Sequence, residues 1–77
     1  MEELVRFIAS SLVNDPESVR VSKKEEAGCT IIELSVAPAD MGKVIGRQGR
    51  IAKAIRTVVK AASVKEDKKY MVEIVEQ

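Results

Sequence analysis

The chain has 77 residues, of which 45% are hydrophobic and 32% charged, and its formal net charge is +1. A chain of this length is expected to form one domain, residues 1–77, with a modest core, and its apolar residues are spread too widely for a disordered tail. Its apolar runs are far shorter than the roughly 18 residues of a membrane span, so we expect no membrane association.

An amphipathic helix is predicted at the start of the chain, followed by a strand. Residues 2–13 carry apolar side chains at helical spacing and acids in the first turn, and the Asn-Asp-Pro sequence of residues 14–16 ends this pattern. Residues 19–22 alternate apolar and polar side chains, which is typical of a strand. The apolar positions of these two elements are Leu4, Val5, Ile8, Leu12, Val19 and Val21.

A turn and a second strand follow. The KKEEAG sequence of residues 23–28 predicts a turn in which Gly28 takes a positive φ. Residues 29–36 predict a strand with one solvent-exposed face, because their apolar and polar side chains alternate. The single cysteine, Cys29, cannot close an internal disulfide, so we expect a small core or edge residue in a reducing cytoplasm. The apolar face of this strand is Ile32, Leu34 and Val36.

Two helices and a third strand complete the pattern. A short helix is expected from Pro38, with Asp40 as its candidate N-cap and Gly46 as its candidate stop. Residues 49–62 predict a longer helix, and residues 69–76 predict a strand. The expected core face of the helix is Ile51, Ile55, Val58, Val59 and Ala62, and that of the strand is Tyr70, Val72 and Ile74.

The predicted order of elements is therefore α-β-β-α-α-β. The first two strands are expected to form an antiparallel hairpin, and the two-helix crossover returns the last strand parallel to the second with the usual right-handed connection. We expect an α+β fold in which a three-stranded mixed sheet has three helices packed on one face.

Residues 42–50, GKVIGRQGR, hold three of the four glycines in the chain. The net charge is −4 over residues 1–40, +7 over residues 41–65 and −2 over residues 66–77, and the middle segment has no acidic residue. Such a segment is an electrostatic footprint for an anion, although a basic solvated helix face would give the same pattern.

The glycines do not fit the phosphate loops of two large enzyme classes. No glycine is followed by Lys and then Ser or Thr, as a Walker A loop requires, and the spacing is not G-x-G-x-x-G. What remains is a tight turn between helices, residues 46–49. Its glycines allow close approach of a sugar-phosphate backbone, and its amides lie at a helix N-terminus, which favours an anion.

The sequence VIGRQGR, preceded by Gly42 and set between two predicted helices, resembles the core of a KH domain, whose GxxG loop clamps about four nucleotides by their backbone. The α-β-β-α-α-β order is that of the type II KH fold. Over essentially its whole length the chain is similar to the short stand-alone bacterial KH proteins of the KhpA family. KH sequences often have an aliphatic residue three places after the second glycine, and here that position is Ala52, with Ile51 before it.

The resemblance and the charges together indicate a binding site for single-stranded RNA. Farther from the loop, Arg56 and Lys60 are expected to act by long-range attraction or as solubilising charge. Phe7 and Tyr70 are expected in the core or in a strand, so base preference should be weak. The expected RNA-binding residues are Gly42, Lys43, Val44, Ile45, Gly46, Arg47, Gln48, Gly49, Arg50 and Lys53.

The chain has no histidine and no paired carboxylates near the glycines, so we expect no enzyme, no cofactor, no metal and no small-molecule substrate. The resemblance implies a cytoplasmic RNA chaperone that forms homodimers and a complex with a larger Jag-type KH protein, KhpB. It further implies post-transcriptional control that affects peptidoglycan homeostasis and cell length. A ribosome-assembly-associated KH factor and a protein-interaction adaptor with a vestigial RNA site stay open as alternatives.

The long predicted helix has a wide apolar face. Its apolar positions span about 180°, whereas one core contact needs a stripe of roughly 100°. We therefore expect a helix-to-helix dimer along one edge of this face, although alanines that merely favour helix formation would give the same pattern. The expected dimer edge is Ala54, Val58 and Ala61.

Overall fold

The structure is a computed structural model that describes residues 1–76; Gln77, the last residue of the predicted domain, lies outside the described residues. Its order of helices and strands is α-β-β-α-α-β, as expected. The elements are α1 (Glu2–Leu12), β1 (Arg20–Glu26), β2 (Cys29–Val36), α2 (Met41–Ile45), α3 (Arg50–Glu66) and β3 (Tyr70–Glu76). Short 3₁₀ turns at Pro16–Ser18, Pro38–Asp40 and Arg47–Gly49 precede β1, α2 and α3.

The three strands form one mixed sheet with β2 in the centre. β1 pairs with β2 antiparallel and β3 pairs with β2 parallel, as the two-helix crossover predicts. The register places Val21, Leu34 and Ile74 side by side across the sheet. Because β2 has a partner on each side, its alternating side chains form the middle of one apolar face.

The helices pack on this face and close the core. The fully buried side chains of β2 are Ile32, Leu34 and Val36. They form one cluster with side chains from every helix, namely Val5 and Ala9 of α1, Val44 of α2, and Ile55 and Val59 of α3. The mixed sheet with three helices on one face is the expected α+β fold, and the core holds α2 and α3 in fixed positions on either side of the glycine turn.

The predicted turn between the first two strands was placed too early. Residues 23–26 continue β1, and the turn consists of Ala27 and Gly28, whose φ angles are 50° and 78°. Two consecutive positive φ values match the two-residue hairpin turns that follow the twist of a sheet. The charged side chains of residues 23–26 are exposed on an edge strand, where charge is common. The positive φ of Gly28 is confirmed.

Two predicted side-chain positions differ in the structure. Phe7, expected in the core, is 71% exposed, because it points away from the α1 face that carries Val5 and Ala9. Val58, expected on the core face of α3, is 43% exposed, and Ala52 and Ser63 are buried instead. The core therefore lies on the Ala52 side of α3. α3 also extends one turn beyond the predicted end.

Candidate nucleic-acid interface

The glycine turn connects α2 and α3 through backbone hydrogen bonds. The N–H of Gly46 donates to the carbonyl of Gly42 at 2.8 Å and so ends α2, as the sequence predicted for Gly46. The N–H of Gly49 donates to the carbonyl of Gly46 at 3.2 Å. The turn is therefore closed by its own backbone, and the side chains of Arg47 and Gln48 at its tip are left exposed.

Gly46 occupies a backbone conformation and a space that no other residue fits well. Its φ of 76° and ψ of 173° lie in a region that is essentially restricted to glycine. A Cβ atom there would lie 2.6 Å from Cγ1 of Ile51 and 3.0 Å from its backbone nitrogen. Ile51 packs against the core, so it cannot move freely. Gly46 is thus required for the close packing of the turn on the first residues of α3.

The last two residues of the turn, which precede α3, have backbone angles in the left-handed helical region. Gln48 has φ 58° and ψ 24°, and Gly49 has φ 74° and ψ 15°. Gly49 is the N-cap of α3, and no side chain caps this helix end. The first N–H groups of a helix have no partner within the helix, and with the helix dipole they favour an anion. The exposed tip of the turn therefore lies beside a helix end suited to a phosphate.

The seven cations of residues 41–65 differ in what they contact. The Nζ atom of Lys43 lies 3.4 Å from Oδ1 of Asp40, and Nε of Arg56 donates to the carbonyl of Val72 at 3.3 Å. The five others are Arg47, Arg50, Lys53, Lys60 and Lys65, and among residues 1–75, whose side chains the structure describes, none of them pairs with a carboxylate. Their charges are therefore available to a ligand.

The aliphatic residues before the turn have different environments. Val44 is fully buried in the core, so its side chain anchors α2 instead of facing a ligand. Ile45 is partly exposed next to the turn. Gly42 is exposed on α2, and a Cβ atom there would meet nothing within 4 Å. Of the predicted site residues, Gly42, Ile45 and the turn thus lie together at the surface. The side chain of Val44 is buried and does not reach it.

Asp40 has a structural role that the sequence did not reveal. Its carboxylate does not cap α2; it accepts hydrogen bonds from the backbone N–H groups of Asn14 and Asp15, at 3.3 and 3.1 Å. Burial disfavours the charged carboxylate, but these two N–H groups and the ammonium of Lys43 outweigh burial, so the pKa of Asp40 lies below its ordinary value. Asp40 therefore joins the end of α1 to the start of α2.

This network predicts a pH-dependent loss of stability. Because the pKa of Asp40 is lowered on folding, its contribution to stability is present above the unfolded pKa of about 3.9 and is lost as the pH falls through the folded pKa. Asp40→Asn should be less stable than the wild type at pH 7, and the difference should shrink below about pH 4. Urea unfolding followed by circular dichroism from pH 7 to pH 3 measures both.

The matched control is Glu25→Gln, which neutralises an exposed carboxylate on β1. This variant should show a much smaller difference from the wild type at every pH. A stability difference between the wild type and Asp40→Asn that stays constant down to pH 3 would show that the charge of Asp40 does not stabilise the fold.

An apolar groove lies between α1 and α3, on the flank of α3 that carries the predicted dimer edge. It has a volume of about 340 Å³ and contains Val58 and Ala54 of that edge. The α1 side chains in it are Ile8, which also packs against the core, and Leu12, which is exposed. Arg50, beside the glycine turn, also lines the groove. Ala61, the third predicted residue, is exposed on the same helix but does not line the groove.

Two other kinds of site are absent from the part of the chain that the structure describes. No group of three or more His, Cys, Asp or Glu side chains is placed to hold a metal ion. Over the same residues, no helix combines the length and the apolar character that crossing a membrane requires.

The mixed sheet, the three helices on one face and the GxxG turn between α2 and α3 define a KH domain of type II. Solved structures support the fold. A crystal structure of Era from Aquifex aeolicus matches 97% of this chain with a TM-score of 0.66 and 21% sequence identity, and the match spans 29% of the Era chain. A structure of Era in complex with MgGDPNP and nucleotides 1506–1542 of 16S ribosomal RNA matches equally well.

The model of the KhpA/KhpB KH-domain family matches residues 2–74, and the chain belongs to this family. Several curated relatives are named RNA-binding protein KhpA. The relative from Clostridium perfringens is 63% identical and that from Clostridium acetobutylicum 60% identical, each over 97% of this chain and 100% of its own length. The relative from Caldanaerobacter subterraneus is 59% identical over the same shares.

Proposed function

We propose that this protein is a non-enzymatic RNA-binding protein that holds the backbone of single-stranded RNA with the turn at residues 46–49. The observation that carries the proposal is the geometry of that turn. It presents exposed Arg47 and Gln48 beside an uncapped end of α3, where N–H groups and the helix dipole favour phosphate. The full-length similarity to relatives named RNA-binding protein KhpA supports the same function.

Each part of the site has a distinct role in this proposal. Gly42 and Gly49 leave open space above the backbone, so a sugar-phosphate chain can approach without meeting a side chain. Arg47 and Arg50 attract the phosphates, and Gln48 can donate to phosphate or sugar oxygens. Lys43 is held by Asp40 at the edge of the site, and Lys53 extends the positive charge by one turn of α3. Ile45 offers an aliphatic contact for a base.

The salt dependence of RNA binding tests this proposal. If about three or four phosphates are neutralised, the logarithm of the association constant for single-stranded RNA should fall with the logarithm of salt concentration at a slope of roughly −2 to −3. Fluorescence anisotropy of a labelled uridine oligonucleotide, titrated at several salt concentrations, measures the slope. A slope near zero, or no binding at low salt, would contradict the proposal.

We further propose that the groove between α1 and α3 is covered by a second KH domain, either in a homodimer or in a complex with a KhpB-type protein. Val58, Ala54 and Ala61 are exposed on α3, and the small alanines allow a second helix to approach closely. The apolar lining of the groove suits an apolar helix face better than water. Lys53, Arg56 and Lys60 lie on a different flank of α3, so dimerisation would leave them open to RNA, whereas Arg50 borders both surfaces.

The dimer proposal predicts the behaviour of one substitution. Val58→Asp places a charge in the centre of the apolar contact, so the variant should be monomeric at tens of micromolar protein, where the wild type should be dimeric. Light scattering gives the mass of each. Val64→Asp is the matched control, because Val64 is an exposed valine about 120° away on the same helix, and it should remain dimeric. A monomeric wild type, or a dimeric Val58→Asp, would refute the dimer.

In the cell, we propose that the protein acts in the cytoplasm as an RNA chaperone in post-transcriptional control. A complex with a KhpB-type partner and effects on peptidoglycan homeostasis and cell length belong to the same proposal and rest on membership of the KhpA/KhpB family. Sequencing of RNA crosslinked to the protein would distinguish free transcripts from ribosomal RNA as targets.

A further inference from the structure

The outer face of α1 carries an aromatic side chain that the core does not use. Phe7 is the single phenylalanine of the chain, and it is largely exposed. It points away from the core face of α1, which carries Val5 and Ala9. A lone exposed apolar side chain is common at a protein surface, but an aromatic ring beside further apolar surface is typical of a contact with another protein.

Phe7 lies beside the groove between α1 and α3. Its position on α1 is about 100° from that of Ile8, which lines the groove. Leu4 and Ser11 fall between these two positions on the helix surface. Leu4 is half-buried, so it extends the apolar surface between the ring and the groove. One surface of the protein therefore carries a projecting ring next to an apolar depression of about 340 Å³.

This arrangement is self-complementary. In a dimer with a two-fold axis, the same surface of both copies meets. If the axis passes between the ring and the groove, the ring of each copy enters the groove of the other. The groove suits a ring, because all its lining residues except Arg50 are aliphatic and Ala54, on its α3 side, is small.

The charges around the ring and the groove are complementary as well. Glu3 is exposed one turn before Phe7 on the same side of α1, and among residues 1–75, whose side chains the structure describes, it forms no ion pair. Arg50 lines the groove, Lys65 lies on the same flank of α3, and residues 41–65 have no acidic residue. An approaching α1 therefore brings a negative charge to a positive flank, which favours the pairing of two copies.

We propose that α1 of a second copy of this protein covers the groove, and that Phe7 of each copy inserts between α1 and α3 of the other. This inference rests on the dimer proposed above. It goes further in identifying the partner as an identical chain, the covering helix as α1 and the anchor as Phe7. Aromatic side chains that fill a pocket dominate the binding energy of many interfaces, so one residue can decide assembly here.

Removal of the ring tests the anchor. Phe7→Ala should raise the dissociation constant of the dimer by about thirtyfold or more, which analytical ultracentrifugation over a range of protein concentrations measures. Circular dichroism should show an unchanged fold, because the ring is outside the core. Val64→Ala is the matched control: it shortens an exposed apolar side chain on another flank of α3 and should dimerise as the wild type does. Equal dissociation constants for Phe7→Ala and wild type would overturn the inference.

A pair of variants tests the exchange of rings directly. Ala54→Trp fills the groove from an exposed position, so this variant should not dimerise with itself, and Phe7→Ala alone should dimerise weakly. An equal mixture of the two should form a heterodimer. In it, Phe7 of the Ala54→Trp chain enters the intact groove, and the filled groove faces the shortened side chain. Native mass spectrometry separates the three dimers by mass. A mixture in which the heterodimer is no more abundant than the homodimers would show that the ring does not enter the groove.

The results also distinguish this inference from the proposals on which it rests. A wild type that is monomeric in light scattering refutes the dimer itself. If Val58→Asp dissociates the dimer and Phe7→Ala does not, the dimer stands and Phe7 is not its anchor. Phe7→Ala should bind a uridine tetranucleotide as the wild type does, because Phe7 lies outside the proposed RNA site. Loss of RNA affinity in the folded variant would assign Phe7 to RNA binding and overturn its role as a dimer anchor.

Discussion

Arg47→Asp/Gln48→Asp should reduce affinity for single-stranded RNA by about a hundredfold while leaving the fold intact, since two charge-assisted contacts of about 1.5 kcal/mol each would be lost. The substitutions place two carboxylates at the exposed tip of the turn, where phosphate should lie, so repulsion replaces attraction. Neither side chain packs in the core, and exposed substitutions usually change stability by about 0.5 kcal/mol or less. The melting temperature should therefore change little.

The salt slope provides a second measurement on the same variant. The double variant should lose most of the slope of −2 to −3 expected for the wild type, because fewer counterions are released when fewer phosphates are contacted. Arg6→Asp/Ala27→Asp is the control: both positions are exposed, both lie outside the turn, and the change in net charge is the same. Ala27 has a φ of 50°, which aspartate tolerates well. Equal affinity and slope in wild type and the folded loop variant would favour the adaptor alternative.

The order of elements was predictable because each boundary carries a local signal. The bounds of β2 follow from the alternation of residues 32–36 and from the turn residues Gly28 and Pro38 on either side, and the structure confirms them as Cys29–Val36. Gly28 takes the positive φ expected of it, and Gly46 ends α2 as expected. In each case the signal depends on neighbouring residues, and such signals can be read without knowing what packs against them.

Features that depend on contacts between distant residues were not predictable in this way. Asp40 is a frequent N-cap residue type, but its carboxylate binds N–H groups 25 and 26 residues earlier in the chain. The charged residues 23–26 lack strand alternation because β1 is an edge strand with little to bury. The exposure of Phe7 and Val58 depends on where α1 and α3 meet the sheet, which helical periodicity alone cannot fix.

The sequence predicted which residues form the candidate site, but it did not predict which of their side chains are exposed. Its glycines and cations lie close together in the chain, so any helix–turn–helix would bring them together. Which side chains reach the surface depends on the core, and the burial of Val44 beside the exposure of Ile45 shows this. The groove between the last turns of α3 and the start of β3 was not predicted, because it depends on how α3 packs beside β3.

The glycines of the site should differ in whether the protein or its ligand requires them. Gly46→Ala should destabilise the fold by about 2 kcal/mol or more, because its φ and ψ favour glycine alone and the new Cβ would clash with Ile51. For a domain of this size that corresponds to a melting temperature lower by about 10 °C or more. Thermal unfolding followed by circular dichroism measures the shift. A Gly46→Ala melting temperature within a few degrees of wild type would show that the turn can relax.

Gly42→Ala should affect RNA binding and not stability, in contrast to Gly46→Ala. Gly42 lies within α2, its φ is not positive, and a Cβ there meets no protein atom, so alanine should leave stability unchanged or raise it by up to about 1 kcal/mol. If RNA passes over this position as proposed, the added methyl group should weaken RNA binding, and the larger Gly42→Gln should weaken it further. Anisotropy titrations beside melting curves separate the two effects. Unchanged affinity in both Gly42 variants would remove this residue from the RNA path and leave the turn at residues 46–49 as the whole contact.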